Sequence, residues 1–309
     1  MYYLKKDVFN LFKIILRISA SIVLLGIVIS FIDVNYLLSI IRDLQIMWLI
    51  MAFGILNVSM ILHFYRLVLL FNKTDPIQHG SILRIHYTSY CFSLFLPGQM
   101  GGDIYRVWSM MRYKKNTFGT ITLVFLWRFL GFTSLLVIAT GAMVVQRLYT
   151  DTLMIPLYVI YSSISLCIIM MLIALYYNKI TYLLHRLGKR INTSMPIDSP
   201  QTPGVIMINI ILSIFSHACT FLSLYFIGYA VNQHIPLYLF FLFGPIVSLV
   251  QQIPVSIGGI GIREGSYVVL FAQIGYSSEI IFSITFLYSL LTIGIGIIGA
   301  IMYASEHRR

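Results

Sequence analysis

The sequence predicts an all-α polytopic integral membrane protein with about six spans plus two opposed re-entrant hairpins that form an inverted repeat. Three observations carry that prediction. The 309 residues are 59% hydrophobic and 10% charged, with a mean hydropathy of +0.90, whereas a soluble domain is roughly 25% charged. Apolar runs of the length needed to cross a hydrocarbon core of about 30 Å recur from end to end. A proline, a glycine pair and an arginine also occur twice at one spacing, inside otherwise apolar sequence.

Six runs are long enough to span: 14–32, 46–71, 117–145, 153–176, 204–231 and 277–304. The first follows Lys5 and Lys6, yet it is too long for a signal-peptide core and has no small-x-small cleavage site, so it reads as a mature helix. No stretch remains for a soluble domain, and 1–309 is expected to be a single membrane domain. Cys91, Cys167 and Cys219 lie in apolar runs without a CxxC pair, which indicates neither a disulfide framework nor a zinc site. The net charge of +11 comes from basic residues flanking the spans. That placement suits anionic headgroups and membrane orientation, and nucleic acid is not an expected partner.

Basic residues in short loops mark the cytoplasmic side. The clusters are Lys5/Lys6/Lys13/Arg17, Lys73, Arg112/Lys114/Lys115, Lys179/Arg186/Lys189/Arg190 and Arg308/Arg309, leaving little beyond Arg42 and Arg147 outside. Runs 81–96 and 237–253 are shorter and end at glycine-rich breaks. A full crossing by 81–96 would put Arg112, Lys114 and Lys115 outside, so this run is expected to enter from the cytoplasm and return. By the same logic 237–253 enters from outside and returns through 262–274. Both termini are then cytoplasmic in a multi-pass protein of the cell membrane. Residues 33–45, "DVNYLLSIIRDLQ", place Leu37, Leu38, Ile41 and Leu44 at helical spacing, which reads as an interfacial helix on the outer leaflet or a plain connector.

The two breaks align as Pro97-x-x-x-Gly101-Gly102-x-x-x-Arg106 and Pro254-x-x-x-Gly258-Gly259-x-x-x-Arg263. At average residue frequencies such a match is expected roughly once per 10⁵ starting positions. Transporters built as inverted repeats place broken helices at a midplane binding site. Proline ends one half-helix, paired glycines let backbone N–H groups face a cavity, and the next half-helix presents its positive end. An anion fits there, and the arginine a turn later is a forked donor suited to phosphate. The alternative is that the glycines permit tight hairpin packing and the arginines snorkel. Arg128 lies near the centre of 117–145 and His217 near the centre of 204–231. A mid-membrane guanidinium stays charged and must face a partner or water. Arg128 therefore contacts a headgroup or carboxylate, or pairs structurally with Asp103 or Glu264. His217 either caps a buried hydrogen bond or couples protons, and Asp103 and Glu264 either titrate or neutralise the adjacent arginine. "GGIGIREG" has the look of a dinucleotide loop but lacks a βαβ context.

"LPGQMGGDIYRVW", "WRFLGFTSLLVIATG" and "QIPVSIGGIGIREG" occur in that order among these spans. They resemble the flippase-like membrane region of bacterial lysyl-phosphatidylglycerol synthases and their stand-alone relatives, across residues 1 to 305. The resemblance implies movement of an aminoacylated phospholipid between leaflets, with aminoacyl transfer done by a separate cytosolic domain. The expectation is a stand-alone member, because no transferase half lies within these 309 residues. Relatives carry an acidic residue beside the arginine of the central span, where this chain has Trp127. The family's residues carry over to Pro97, Gly101, Gly102, Asp103, Arg106, Arg128, Pro254, Gly258, Gly259, Arg263 and Glu264, and His217 joins them as a substrate-binding candidate by its position.

The first functional expectation is a lipid translocase, flippase or scramblase, for an anionic, aminoacylated or other phosphate-bearing lipid. The alternatives are a membrane transferase on a lipid or polyprenyl phosphate, with Asp103 or Glu264 as base, and a secondary transporter of a small anion. The longest loop, 177–203, is short and basic, little room for a second substrate. No catalytic triad, HExxH, Walker loop or metal-ligand spacing occurs, so no cofactor, metal or ATP hydrolysis is expected. A phospholipid is the expected cargo, and a homo-oligomer and a separate lipid-modifying enzyme are the other partners considered.

Overall fold

The structure is a computed structural model describing residues 40, 42–72, 76–95, 100–114, 117–149, 156–179, 201–253, 256 and 258–306. The predicted span 14–32, residues 33–39 and 41 of the segment 33–45, most of the loop 177–203, and Pro97 and Pro254 lie outside the described residues. The described helices are α1 (Ile46–Phe71), α2 (His79–Phe95), α3 (Met100–Met110), α4 (Thr117–Tyr149), α5 (Leu157–Leu175), α6 (Pro203–Ala230), α7 (Leu237–Val250), α8 (Ile262–Ala272) and α9 (Ser278–Glu306). Among the described residues, five helices are long and apolar enough to cross a membrane; they are α1, α4, α5, α6 and α9. The two shorter predicted runs each fold as a helix, a break and a second short helix, α2/α3 and α7/α8.

Local chemistry sets several boundaries. Thr202 caps α6 by accepting from the Val205 N–H at 3.4 Å, with Pro203 opening the helix as its missing donor allows. Asn72 braces the turn after α1, donating to the Ile77 carbonyl at 3.0 Å and accepting the Ile77 N–H at 2.8 Å. Pro245 sits inside α7.

The most extensive helix contact is α1 against α6. Lipid supplies no hydrophobic drive between helices, so small residues and interhelical hydrogen bonds take over. Ser59 Oγ donates to the Ser216 carbonyl at 2.9 Å, and Ser134 and Ser213 hydroxyls meet at 2.6 Å between α4 and α6. Leu166, Ile168, Ile169 and Leu172 of α5 face outward, an apolar exterior suited to lipid and not to water. The protein is an all-α, multi-pass membrane protein.

The helix contacts follow a pattern. Exchanging α1 with α6, α2 with α7, α3 with α8 and α4 with α9 maps the α1·α6 contact onto itself and α2·α9 onto α7·α4. It also maps α2·α3 onto α7·α8, α3·α4 onto α8·α9, and α1·α4 onto α6·α9. Contact between α4 and α6 is the exception, having no comparable counterpart. The first helix of each broken pair therefore packs on the long helix that follows the other pair, and the second helix packs on the long helix that follows its own. One such contact is very close: a Cβ on Gly299 of α9 would stand 2.1 Å from the Tyr87 carbonyl oxygen of α2.

Candidate functional site

A cavity of about 220 Å³ opens where the two breaks meet. Gly102, Asp103, Arg106, Arg128, His217, Gly258 and Arg263 of the predicted site line it.

The repeated letters build two different local structures. Gly101 and Gly102 lie in the first turn of α3, not in an open loop. Gly102 serves packing, because a Cβ there would come within 2.5 Å of the Ser89 carbonyl oxygen in α2. Gly258 and Gly259 instead adopt φ of 62° and 76° in the turn before α8, a left-handed backbone that glycine takes without steric cost. The breaks also touch, since a Cβ on Gly258 would lie 3.1 Å from the Leu94 carbonyl oxygen. Sequence spacing could not separate these cases, because the neighbour that crowds Gly102 belongs to another helix.

Asp103 is the hub of the first break. Its carboxylate accepts from Arg106 Nη1 at 2.5 Å and from Arg128 Nη1, and it stands in the first turn of α3, where the helix dipole favours an anion. Arg106 also donates to Ser89 Oγ at 2.8 Å, and its Nε has no hydrogen-bond partner among the described residues although the side chain is buried. The second nitrogen of Arg128 donates to Gln252 Oε1. Arg128 thus ties α3 to the turn after α7, and the carboxylate it uses is Asp103 rather than Glu264.

The second break is neutralised from within. Glu264, fully buried, accepts the Gly261 N–H at 2.6 Å and Arg263 Nε at 3.4 Å. Ser289 Oγ donates to the same carboxylate and accepts from Arg263 Nη2. Arg263 lies over the Tyr288 ring at 4.9 Å. Glu264 therefore occupies the helix start where sequence reasoning would put an anionic ligand.

Sequence reasoning missed Arg66, His63, Trp127, Ser89, Gln252 and Ser289. Arg66 is 1% exposed and has no carboxylate partner among the described residues. Its nitrogens donate to Asn209 Oδ1 at 3.0 Å, His63 Nδ1 at 2.9 Å and the Trp127 carbonyl at 2.9 Å. Guanidinium only donates, so His63 Nδ1 is the acceptor and the ring is the neutral Nε2–H tautomer. The Arg66 and Arg106 guanidinium carbons lie 5.0 and 4.3 Å from the Trp127 ring centroid, hence within about 9 Å of each other. At an effective dielectric of about 20, charges so placed repel by roughly 2 kcal/mol. The indole N–H of Trp127 and Nε2 of His217 are buried without a hydrogen-bond partner among the described residues. The His217 and His63 ring centroids are 5.6 Å apart. The signal for Arg66 was present: Ser59, His63 and Arg66 fall on one helical face at three- and four-residue spacing. Its position near a span end, however, reads equally as snorkelling.

Residues 14–299 match the family described as the lysylphosphatidylglycerol synthase TM region. The chain belongs to that family. Among curated proteins no match is found. Membership in the lysylphosphatidylglycerol synthase membrane family agrees with a lipid-related function and with the all-helical membrane architecture above. In this member the cavity of the membrane region carries four arginines, Arg66, Arg106, Arg128 and Arg263. They face two carboxylates, Asp103 at the cavity and Glu264 behind Arg263.

Proposed function

We propose that this chain is a lipid translocase that carries a phosphate-bearing lipid between leaflets through the cavity at the two helix breaks, without ATP. The observation that carries the reading is the buried junction of Arg106, Arg128 and Asp103 among helices long and apolar enough to cross a membrane. Charged groups there are expensive unless used. Broken backbone at membrane depth is tolerated where it lines a cavity. The headgroup phosphate sits against the arginines of the first break while the acyl chains remain in the bilayer.

Purified protein in liposomes is expected to accelerate leaflet exchange of a fluorescent phospholipid without nucleotide. Exchange no faster than in protein-free vesicles would remove the translocase reading.

The architecture we propose for this task is an inverted repeat, α1–α4 against α6–α9, with α2/α3 entering from the cytoplasm and α7/α8 from outside. The exchange symmetry of the helix contacts supports it, as does the double occurrence of the break. In a background lacking Cys91, Cys167 and Cys219, a cysteine at Tyr113 is expected to label from the cytoplasm and cysteines at Gln233 and Ser277 from outside. Outside labelling at 113 would overturn the re-entrant arrangement and the inverted repeat with it.

A further inference from the structure

The positive charge of the cavity is unevenly spread. Arg263 is matched by Glu264, and Arg106 and Arg128 share the single carboxylate of Asp103. Arg66 hydrogen-bonds only neutral groups. Two positive charges are therefore left without a carboxylate among the described residues, both at the end of the cavity formed by α1, α3 and α4.

Buried donors at that end have no acceptor among the described residues: Arg106 Nε and the Trp127 indole N–H. The tautomer of His63 presents a further Nε2–H, while the unpartnered ring nitrogens of His86 and His217 offer at most one neutral acceptor each. Arg106 itself is 5% exposed and lines the cavity. Buried donors without acceptors are costly, and buried charge is retained where something neutralises it. A ligand with two negative charges and several acceptor oxygens meets both requirements, whereas a phosphodiester supplies one charge and a cationic aminoacyl headgroup adds repulsion.

We propose that the Arg66–Trp127–Arg106 end of the cavity is an anion subsite that selects dianionic phosphate, a phosphomonoester or a diphosphate, as the headgroup of the cargo. This inference rests on the translocase reading and specifies its substrate class. Phosphomonoesters carry about −1.5 to −2 at pH 7, so the charge difference from a phosphodiester is complete above pH 7.

The test compares soluble dioctanoyl phosphatidic acid with dioctanoyl phosphatidylglycerol at pH 8, reading apparent affinity from thermal stabilisation of the purified protein. Phosphatidic acid is expected to bind about tenfold more tightly or better, the effect of one further charge-assisted hydrogen bond. Arg66→Gln removes one excess charge, and Trp127→Glu installs a carboxylate beside both arginines. Each is expected to bring the ratio below about threefold, the loss falling more heavily on phosphatidic acid than on phosphatidylglycerol. Should either variant fail to fold, the wild-type ratio decides alone: a ratio below about threefold, or a preference for phosphatidylglycerol, overturns the proposal. Inorganic pyrophosphate distinguishes the sources. Displacement of phosphatidic acid by excess pyrophosphate supports the subsite and adds free diphosphate to its ligands; retention of the lipid supports a headgroup site. Selective binding without leaflet exchange would sink the translocase and leave the subsite. Equal exchange and binding of both lipids would do the reverse.

Discussion

Arg128→Ala is expected to lower leaflet exchange by about 30- to 150-fold, the loss of roughly 2 to 3 kcal/mol of charge-assisted hydrogen bonding to a desolvated headgroup. Arg128 links both breaks, donating to Asp103 on one side and Gln252 on the other, so its removal separates them as well as removing charge. The fold is expected to survive, because Asp103 keeps Arg106 as a partner at 2.5 Å and is not stranded. Arg128→Lys should recover part of the rate, since an ammonium keeps the charge but cannot span two acceptors as a planar fork does. Adding Asp103→Asn to Arg128→Ala separates positioning from cargo contact. If Arg128 serves only to neutralise Asp103, the double variant regains full exchange. If Arg128 also meets the headgroup, exchange stays low at normal expression. Full exchange by Arg128→Ala itself would mean that the clamp plays no part in transport.

The second large effect is on stability. Gly299→Ala is expected to destabilise the protein by about 2 to 3 kcal/mol and Gly299→Val by more, as overpacking does in a close-packed interior. The added methyl would meet the Tyr87 backbone oxygen at 2.1 Å, and a backbone atom cannot rotate aside. Contact between α2 and α9, one of the largest in the molecule, would have to open. Gly141→Ala in α4 is the control, since nothing lies within 4 Å of a Cβ at that site, and alanine there should be neutral or stabilising by up to about 1 kcal/mol. Thermal unfolding in detergent, followed by size exclusion, compares the two. Equal midpoints for the two alanine variants would show that α2 and α9 do not approach so closely.

Much of the architecture was legible in the residues for a local reason. In lipid each backbone N–H and C=O must be satisfied inside its own segment, so an apolar run of about 20 residues has little choice but helix. The runs 46–71, 117–145, 153–176, 204–231 and 277–304 accordingly reappear as α1, α4, α5, α6 and α9. Glycine-rich interruptions marked the two breaks on the same grounds. What lay beyond the sequence was every property that depends on a neighbour from elsewhere in the chain. Gly101-Gly102 and Gly258-Gly259 are identical letters, yet the first pair is helical, with Gly102 pressed against Ser89, while the second turns with positive φ. Asp103 serves two arginines and Glu264 closes on its own helix start; the motif could not tell them apart. Arg66, which the sequence analysis did not single out, is held inside because α6 offers Asn209 and α4 offers the Trp127 carbonyl. Covalent spacing sets which groups enter the membrane, but the desolvation of a charge is a sum over everything packed around it, and only the tertiary structure decided which arginines were left without a counter-charge.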